Sequence, residues 1–166
     1  TVELSSGESL TAKHILEATG VRPVVPELPG SDHGITSNDI FHLETLPKSI
    51  LIIGGGYIAC EFACILNGLG VQVSQYYRGA QILRGFDEEA RGLISEEMIQ
   101  SGIKLHLSTN ILAMEPVTGG YKVKATNGDE QVFEQVMFAT GRAPNTEGMG
   151  LERAGVTLGR KGQIEV

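Results

Sequence analysis

Three consecutive glycines, Gly54-Gly55-Gly56, follow directly on the apolar run Ile50-Leu51-Ile52-Ile53. The spacing Gly54-x-Gly56-x-x-Ala59 then opens a stretch in which Ile58, Phe62, Ile65, Leu66 and Leu69 recur at three- and four-residue intervals. Residues of these types in this order can hold a pyrophosphate. Gly54 permits a tight turn out of a strand, Gly56 presents no side chain to a phosphate, and Ala59 lets a helix lie close on a sheet. The start of that helix offers unpaired N–H groups and a partial positive charge. A glycine triplet alone is also a plain turn. Here a buried strand precedes it, and an amphipathic helix and a second strand follow, so the segment reads as a dinucleotide-binding turn.

Which dinucleotide is decided further along. Turns that select NAD place an acid about 20 residues on, at the end of the second strand, to hold the ribose hydroxyls. That position is Tyr77, and no acid stands between Glu61 and Asp87. Arg78 follows at once and Arg84 closes the loop. A ribose 2′-phosphate needs charge-assisted, forked donors, which two arginines supply. Solvated loop cations are the alternative reading, but their place after the turn predicts NADP(H). Nothing in this argument calls for the consecutive aromatics Tyr76-Tyr77.

Other chemistry-bearing residues lead nowhere comparable. Cys60 and Cys64 are four apart on the same helix, a poor geometry for a disulfide, and no Cys/His set suggests a metal. They read as small residues packing on the sheet. His14, His33, His42 and His106 are scattered with no nearby nucleophile, so none is assigned catalysis and no metal site is expected.

The elements that must position the turn follow from periodicity. Ile50–Ile53 reads as a strand buried on both faces, residues 57–69 as a helix ended by Gly70, and Val71–Tyr77 as a second strand, the βαβ order. Asp87 is a plausible N-cap for a second helix running to about Ser101-Gly102, with Glu88 and Glu89 in its first turn. A third strand covers Ile103–Leu107. From Ile111 the pattern changes to short alternating strands with turns at Thr118-Gly119-Gly120 and Asn127-Gly128, an antiparallel meander ending in the strand 135–139. Residues 1–20 read as a small strand, a turn at Ser5-Ser6-Gly7 and a second strand over Lys13–Gly20. Pro23, Pro26, Pro29 and Gly30 then mark a crossover. Glu17-Ala18-Thr19-Gly20-Val21-Arg22-Pro23 echoes Phe138-Ala139-Thr140-Gly141-Arg142-Ala143-Pro144, as two equivalent crossovers would. The fold class is α/β: a Rossmann-like parallel sheet with helices and an antiparallel β-meander.

Composition agrees with a folded α/β chain and excludes several classes. The 166 residues are 41% apolar and 20% charged, with a formal net charge of −7. That sign argues against a nucleic-acid or anionic-membrane surface, and the chain has no Trp for base stacking. No run approaches a membrane span, the N-terminal stretch is unlike a signal peptide, and two cysteines make no disulfide scaffold. A cytoplasmic location is the expectation.

Several motifs together carry a resemblance. Gly54-Gly55-Gly56-Tyr57-Ile58-Ala59-Cys60-Glu61-Phe62-Ala63, Tyr77-Arg78-Gly79, Leu83-Arg84-Gly85-Phe86-Asp87 and Ala139-Thr140-Gly141-Arg142-Ala143-Pro144-Asn145 resemble the flavin-dependent pyridine nucleotide–disulfide oxidoreductases, and among them the glutathione reductases. The resemblance implies that Gly54, Gly55, Gly56, Tyr57, Ile58 and Ala59 form the pyrophosphate turn. It makes Tyr57 the ring that covers the flavin until nicotinamide displaces it. Ile58 and Glu61 would lie along the nicotinamide half, Arg78 and Arg84 on the 2′-phosphate, and Gly141 near the nicotinamide end. The family's flavin-binding Gly-x-Gly-x-x-Gly and its Cys-x4-Cys redox pair do not occur in these residues, so no catalytic residue is expected on this chain. It should then be the NADPH-binding part of a longer enzyme, which also uses FAD and forms a homodimer. On that reading 1–22 edges the flavin domain, 23–47 is a crossover, 48–139 binds NADPH, and 140–166 returns toward the flavin domain. A thioredoxin- or trypanothione-type reductase is the nearer alternative, and a non-catalytic structural piece with an altered nucleotide site the more distant one.

Overall fold

Prolines stand at both places where the chain passes from one compact unit to the other, Pro23 and Pro144, and an X–Pro step favours extended backbone. In the computed structural model, which describes residues 1–166, the chain divides at these steps into two units: Thr1–Arg22 with Pro144–Val166, and Pro23–Ala143.

In the first unit β1 (Val2–Glu3) and β2 (Ser9–Leu10) pair as an antiparallel hairpin around the expected Ser5-Ser6-Gly7 turn. The strand expected over Lys13–Gly20 does not form. Its apolar side chains have nothing in the unit to pack on, Leu16 being 90% exposed. The only strand nearby is the short β3 (Val21–Pro23). Thr19 and Asn145 clamp this unit reciprocally. Thr19 Oγ1 donates to the Asn145 carbonyl (2.7 Å), while Asn145 Nδ2 and its backbone N–H donate to the carbonyls of Thr19 (3.0 Å) and Gly20 (2.9 Å).

The second unit holds β4 (Ile35–Thr36), β5 (Ser49–Ile53), α1 (Tyr57–Gly68), β6 (Gln72–Tyr76), α2 (Glu88–Gln100) and β7 (Lys104–His106). After them come β8 (Ile111–Val117), β9 (Gly120–Ala125), β10 (Glu130–Phe133) and β11 (Gln135–Phe138), and β12 (Arg142–Pro144) leads out. The main sheet has the order β4-β11-β5-β6-β7, every pair parallel. The second sheet, β10-β9-β8, is the antiparallel meander, with its turns at the expected Gly119 and Gly128.

The continuous apolar run of β5 is explained by what covers each face. Successive strand residues point to opposite sides. Ile50 and Ile52 pack with Ala59, Cys60, Ala63 and Leu66 of α1, Val73 of β6 and Met98 of α2. Leu51 and Ile53 pack instead with Met114, Val123, Ala125 and Phe133 of the meander. Tyr76 belongs to that second cluster, fully buried and edge-on to Phe133 with ring centroids 6.5 Å apart. This accounts for one of the two aromatics that the phosphate argument left over.

The meander differs from expectation at its end. The strand 135–138 exists, but β11 leaves the antiparallel sheet and runs parallel between β4 and β5, with Gln135 opposite Ile50 and Phe138 opposite Ile53. Glu134 makes the transfer. Its Oε2 accepts from the Lys48 N–H (2.6 Å) and its own N–H donates to Ser49 Oγ (3.1 Å), which sets the start of β11 beside the start of β5. Val136, Met137 and Phe138 are then buried on both faces, as a central parallel strand requires. The segment 23–47 contributes β4 to this sheet together with two 3-10 turns. No helix is long and apolar enough to cross a membrane.

Candidate functional site

The chain turns at the C-terminal end of β5, where ligands of parallel sheets bind. Gly54 has φ +143°, and a Cβ there would lie 2.8 Å from the Ala139 carbonyl carbon, so glycine is required by both conformation and space. Its N–H donates to the Tyr76 carbonyl (2.9 Å). Each carbonyl of the triplet is tied to the chain itself. That of Gly54 accepts from Gln75 Nε2 (3.0 Å), that of Gly55 from the Leu83 N–H (2.6 Å), and that of Gly56 from the Cys60 N–H (3.1 Å).

With the carbonyls engaged, the free capacity of the turn is that of donors. Gly56 is the N-cap of α1, and neither a side-chain cap nor an acidic residue occurs in the first turn. The positive end of a 12-residue helix is therefore not compensated by any side chain of its own first turn. Gly56 itself has ordinary extended backbone and nothing within 4 Å of where a Cβ would stand. No neighbour demands glycine there. Ala59, one turn on, is fully buried against the sheet.

Beside the turn lies a cavity of about 260 Å³, lined by Gly56, Tyr57 and Ile58 from α1 and by Phe138, Ala139, Gly141 and Arg142 from the end of β11 and beyond. Pro23 and Ser37 complete it. Tyr57 is exposed, and Gly141 has φ +135°. Arg142 Nη1 donates to Ser37 Oγ (3.2 Å). The structure thus gathers Gly56, Tyr57, Ile58 and Gly141 around one hollow. Glu61 is exposed and is not among the lining residues.

The loop after β6 carries the arginines. Arg78 and Arg84 are both exposed, and no carboxylate pairs with either. Between them Ile82 and Leu83 are buried, and Leu83 holds φ +54° to deliver its N–H to Gly55. Arg91 of α2 fastens the loop from the other side. Its Nε donates to the Ile82 carbonyl (2.7 Å) and its Nη2 to the Gln81 carbonyl (3.2 Å). Two uncompensated cations on a loop hydrogen-bonded to an uncapped helix start suit a ligand with two separated anionic groups.

Three positioning side chains were not foreseen. Gln75 was visible as a polar residue in an apolar strand; it is fully buried, and its Oε1 has no hydrogen-bond partner. Leu83 and Arg91 carry no signal of their own, since their roles depend on which backbone groups the fold brings near them. The cysteines are free: Cys60 is buried and accepts a weak contact from Gln75 Nε2 (3.6 Å), while Cys64 is exposed. Burial pushes the Cys60 thiol up, which lowers its reactive thiolate fraction at neutral pH. Titration of the folded chain with an aromatic disulfide reagent should therefore label Cys64, with Cys60 reacting only after denaturant is added.

A glutathione reductase of Burkholderia cepacia is 50% identical over 161 residues, covering 97% of this chain and 36% of that protein. The chain spans about a third of the length of the curated relatives it matches. Among solved structures, the HOCl-induced flavoprotein disulfide reductase of Escherichia coli superposes with a TM-score of 0.82 at 25% identity, over 90% of this chain and 35% of that one. An engineered water-forming NADPH oxidase bound to NADPH gives a TM-score of 0.74 at 25% identity, over 86% of this chain and 33% of that one. The profile of one family matches residues 1–166 throughout, and the chain is a member of it: the pyridine nucleotide-disulphide oxidoreductases.

Proposed function

We propose that this chain is the NADPH-binding part of a glutathione-reductase-like flavoprotein disulfide reductase, and that it presents the nicotinamide to a flavin held outside the residues described. The observation that carries the reading is Gly56. It caps a helix whose N-terminal N–H groups have no side-chain partner, at a position where nothing in the chain requires glycine. A pyrophosphate fits that donor set, and the missing side chain is the room it needs.

Arg78 and Arg84 make the preference one for NADPH. The engineered oxidase offers a parallel: relative to its parent NADH oxidase, an Asp is replaced by Ala, the next residue becomes Arg, and another Arg comes six residues later. Tyr77, Arg78 and Arg84 stand here in the same order and spacing.

When bound, NADPH supplies a hydride to an acceptor. This chain's own residues do the holding. The start of α1 receives the pyrophosphate, the arginines receive the 2′-phosphate, and the cavity beside Ile58 and Gly141 receives the nicotinamide end. Tyr57, exposed at its edge, is placed to cover the flavin until the nicotinamide displaces it. FAD, the disulfide chemistry and a homodimer interface belong to the longer enzyme, and glutathione disulfide is the substrate that its relatives suggest. Two free thiols suit a reducing compartment such as the cytoplasm.

Calorimetric titration of the chain with NADPH, NADH and 2′,5′-ADP in one low-salt buffer tests the proposal. NADPH and 2′,5′-ADP should bind, with NADH at least about tenfold weaker, or roughly 1.4 kcal/mol. A folded chain that binds none of the three would refute it.

A further inference from the structure

One side chain touches both halves of the site just described. Tyr77 directly follows β6, and its backbone is fixed: its N–H donates to the His106 carbonyl (3.0 Å) and its carbonyl accepts from the Thr109 N–H (3.0 Å). Two residues on, the Gly79 carbonyl accepts from the Ser108 N–H (3.0 Å). The segment carrying Arg78 is thus pinned along one side by the residues that follow β7. On the other side lies the Tyr77 ring.

The near end of that ring lies against Gly55 and the far end against Gly79. A Cβ on Gly55 would come within 2.5 Å of Tyr77 Cδ1 and 2.6 Å of Cδ2. A Cβ on Gly79 would come within 2.5 Å of Cε1, 2.8 Å of Cζ and 3.0 Å of the phenol oxygen. Neither glycine has the left-handed backbone that would call for glycine on conformational grounds. Both positions are small because the ring fills the space. The loop closes around it through the Leu83 N–H on the Gly55 carbonyl and through the buried Ile82.

We infer that Tyr77 is a positioning residue for 2′-phosphate recognition: its ring, wedged between Gly55 and Gly79, sets where the arginine loop stands relative to the phosphate turn. The inference rests on the nucleotide reading above. It assigns the second unexplained aromatic a role in specificity without any contact between its own polar atom and the ligand. It also explains why the middle residue of the triplet is glycine, which the phosphate argument does not require. A ring used only to fill the core would support binding of NADPH and NADH alike; a ring that spaces the arginines from the turn affects the phosphorylated nucleotide alone.

The test is a double-mutant cycle read by affinity and by thermal midpoint. Gly79→Ala should weaken NADPH and 2′,5′-ADP at least tenfold and NADH by less than threefold, because the added methyl must displace the ring. In a Tyr77→Ala background, adding Gly79→Ala should change NADPH affinity by less than twofold. Tyr77→Phe keeps the ring and should bind NADPH as the unmutated chain does. Should Gly79→Ala fail to fold, Tyr77→Leu, which removes the ring and adds no clash, should show the same selective loss. The inference is overturned if a folded Gly79→Ala or Tyr77→Leu chain loses NADPH and NADH equally or neither. It is likewise overturned if Gly79→Ala costs as much without the ring as with it. Absence of 2′,5′-ADP binding by the unmutated chain overturns the nucleotide reading itself, whereas binding there with no selective loss in the variants removes only the role of Tyr77.

Discussion

Replacing Arg78 and Arg84 together by glutamine should weaken NADPH binding roughly 100-fold while moving NADH affinity by no more than about threefold. A hydrogen bond to a charged group contributes about 1.5–3 kcal/mol. Both guanidinium groups are exposed, so screening holds each near the lower figure, and the pair sums to about 3 kcal/mol, or two decades in affinity. Glutamine keeps an amide donor but is shorter and uncharged, so the loss reports the guanidinium groups on the 2′-phosphate and leaves the loop backbone intact. Neither arginine is paired with a carboxylate, so no acid is orphaned by the change. NADPH affinity of the unmutated chain should also fall with added salt, more steeply than that of the double variant. Calorimetry with both nucleotides decides it: equal losses would mean that the arginines shape the loop without meeting the phosphate.

What was legible in the sequence was what depends on neighbours along the chain. The strand, glycine turn, helix and second strand all follow from spacing within residues 50–77. So do Asp87, whose Oδ1 accepts from the Ala90 N–H (3.0 Å), and the glycine-containing hairpin turns. The errors lie where a partner is distant. β11 looks from its own neighbourhood like the last strand of a meander, and only Glu134 meeting Lys48 and Ser49 shows that it belongs to the parallel sheet. Lys13–Gly20 has the composition of a strand but no partner to pair with, and propensity without pairing does not make one. The site divides in the same way. Gly54, Gly56 and Ala59 follow from the motif, because a tight turn out of a strand, an open helix start and close helix–sheet packing each dictate a small residue at a fixed spacing. Arg91 in sequence is a helix cation like any other, and only the fold turns it toward the carbonyls of Gln81 and Ile82.

Two glycines of the same triplet should respond to substitution in opposite ways. Gly54→Ala forces a side chain onto backbone at φ +143° and drives its methyl into the Ala139 carbonyl, neither of which can give way without parting β5 from β11. Strain of that kind costs about 1–3 kcal/mol before the clash is counted. At about 2–4 °C per kcal/mol for a chain of this size, the thermal midpoint should drop by roughly 10 °C. Gly56→Ser meets no neighbour and supplies a preferred N-cap hydroxyl to α1, so stability should hold or rise by a few tenths of a kcal/mol. Its Oγ, however, takes up the helix N–H groups and stands where the pyrophosphate would lie. NADPH and NADH should therefore both weaken at least about 30-fold, roughly 2 kcal/mol, unlike the selective loss from the arginine pair. Melting curves and titrations on the two variants separate the roles: glycine at 54 serves the fold and glycine at 56 serves the ligand. A Gly56→Ser chain that still binds both nucleotides would reduce the triplet to an ordinary turn.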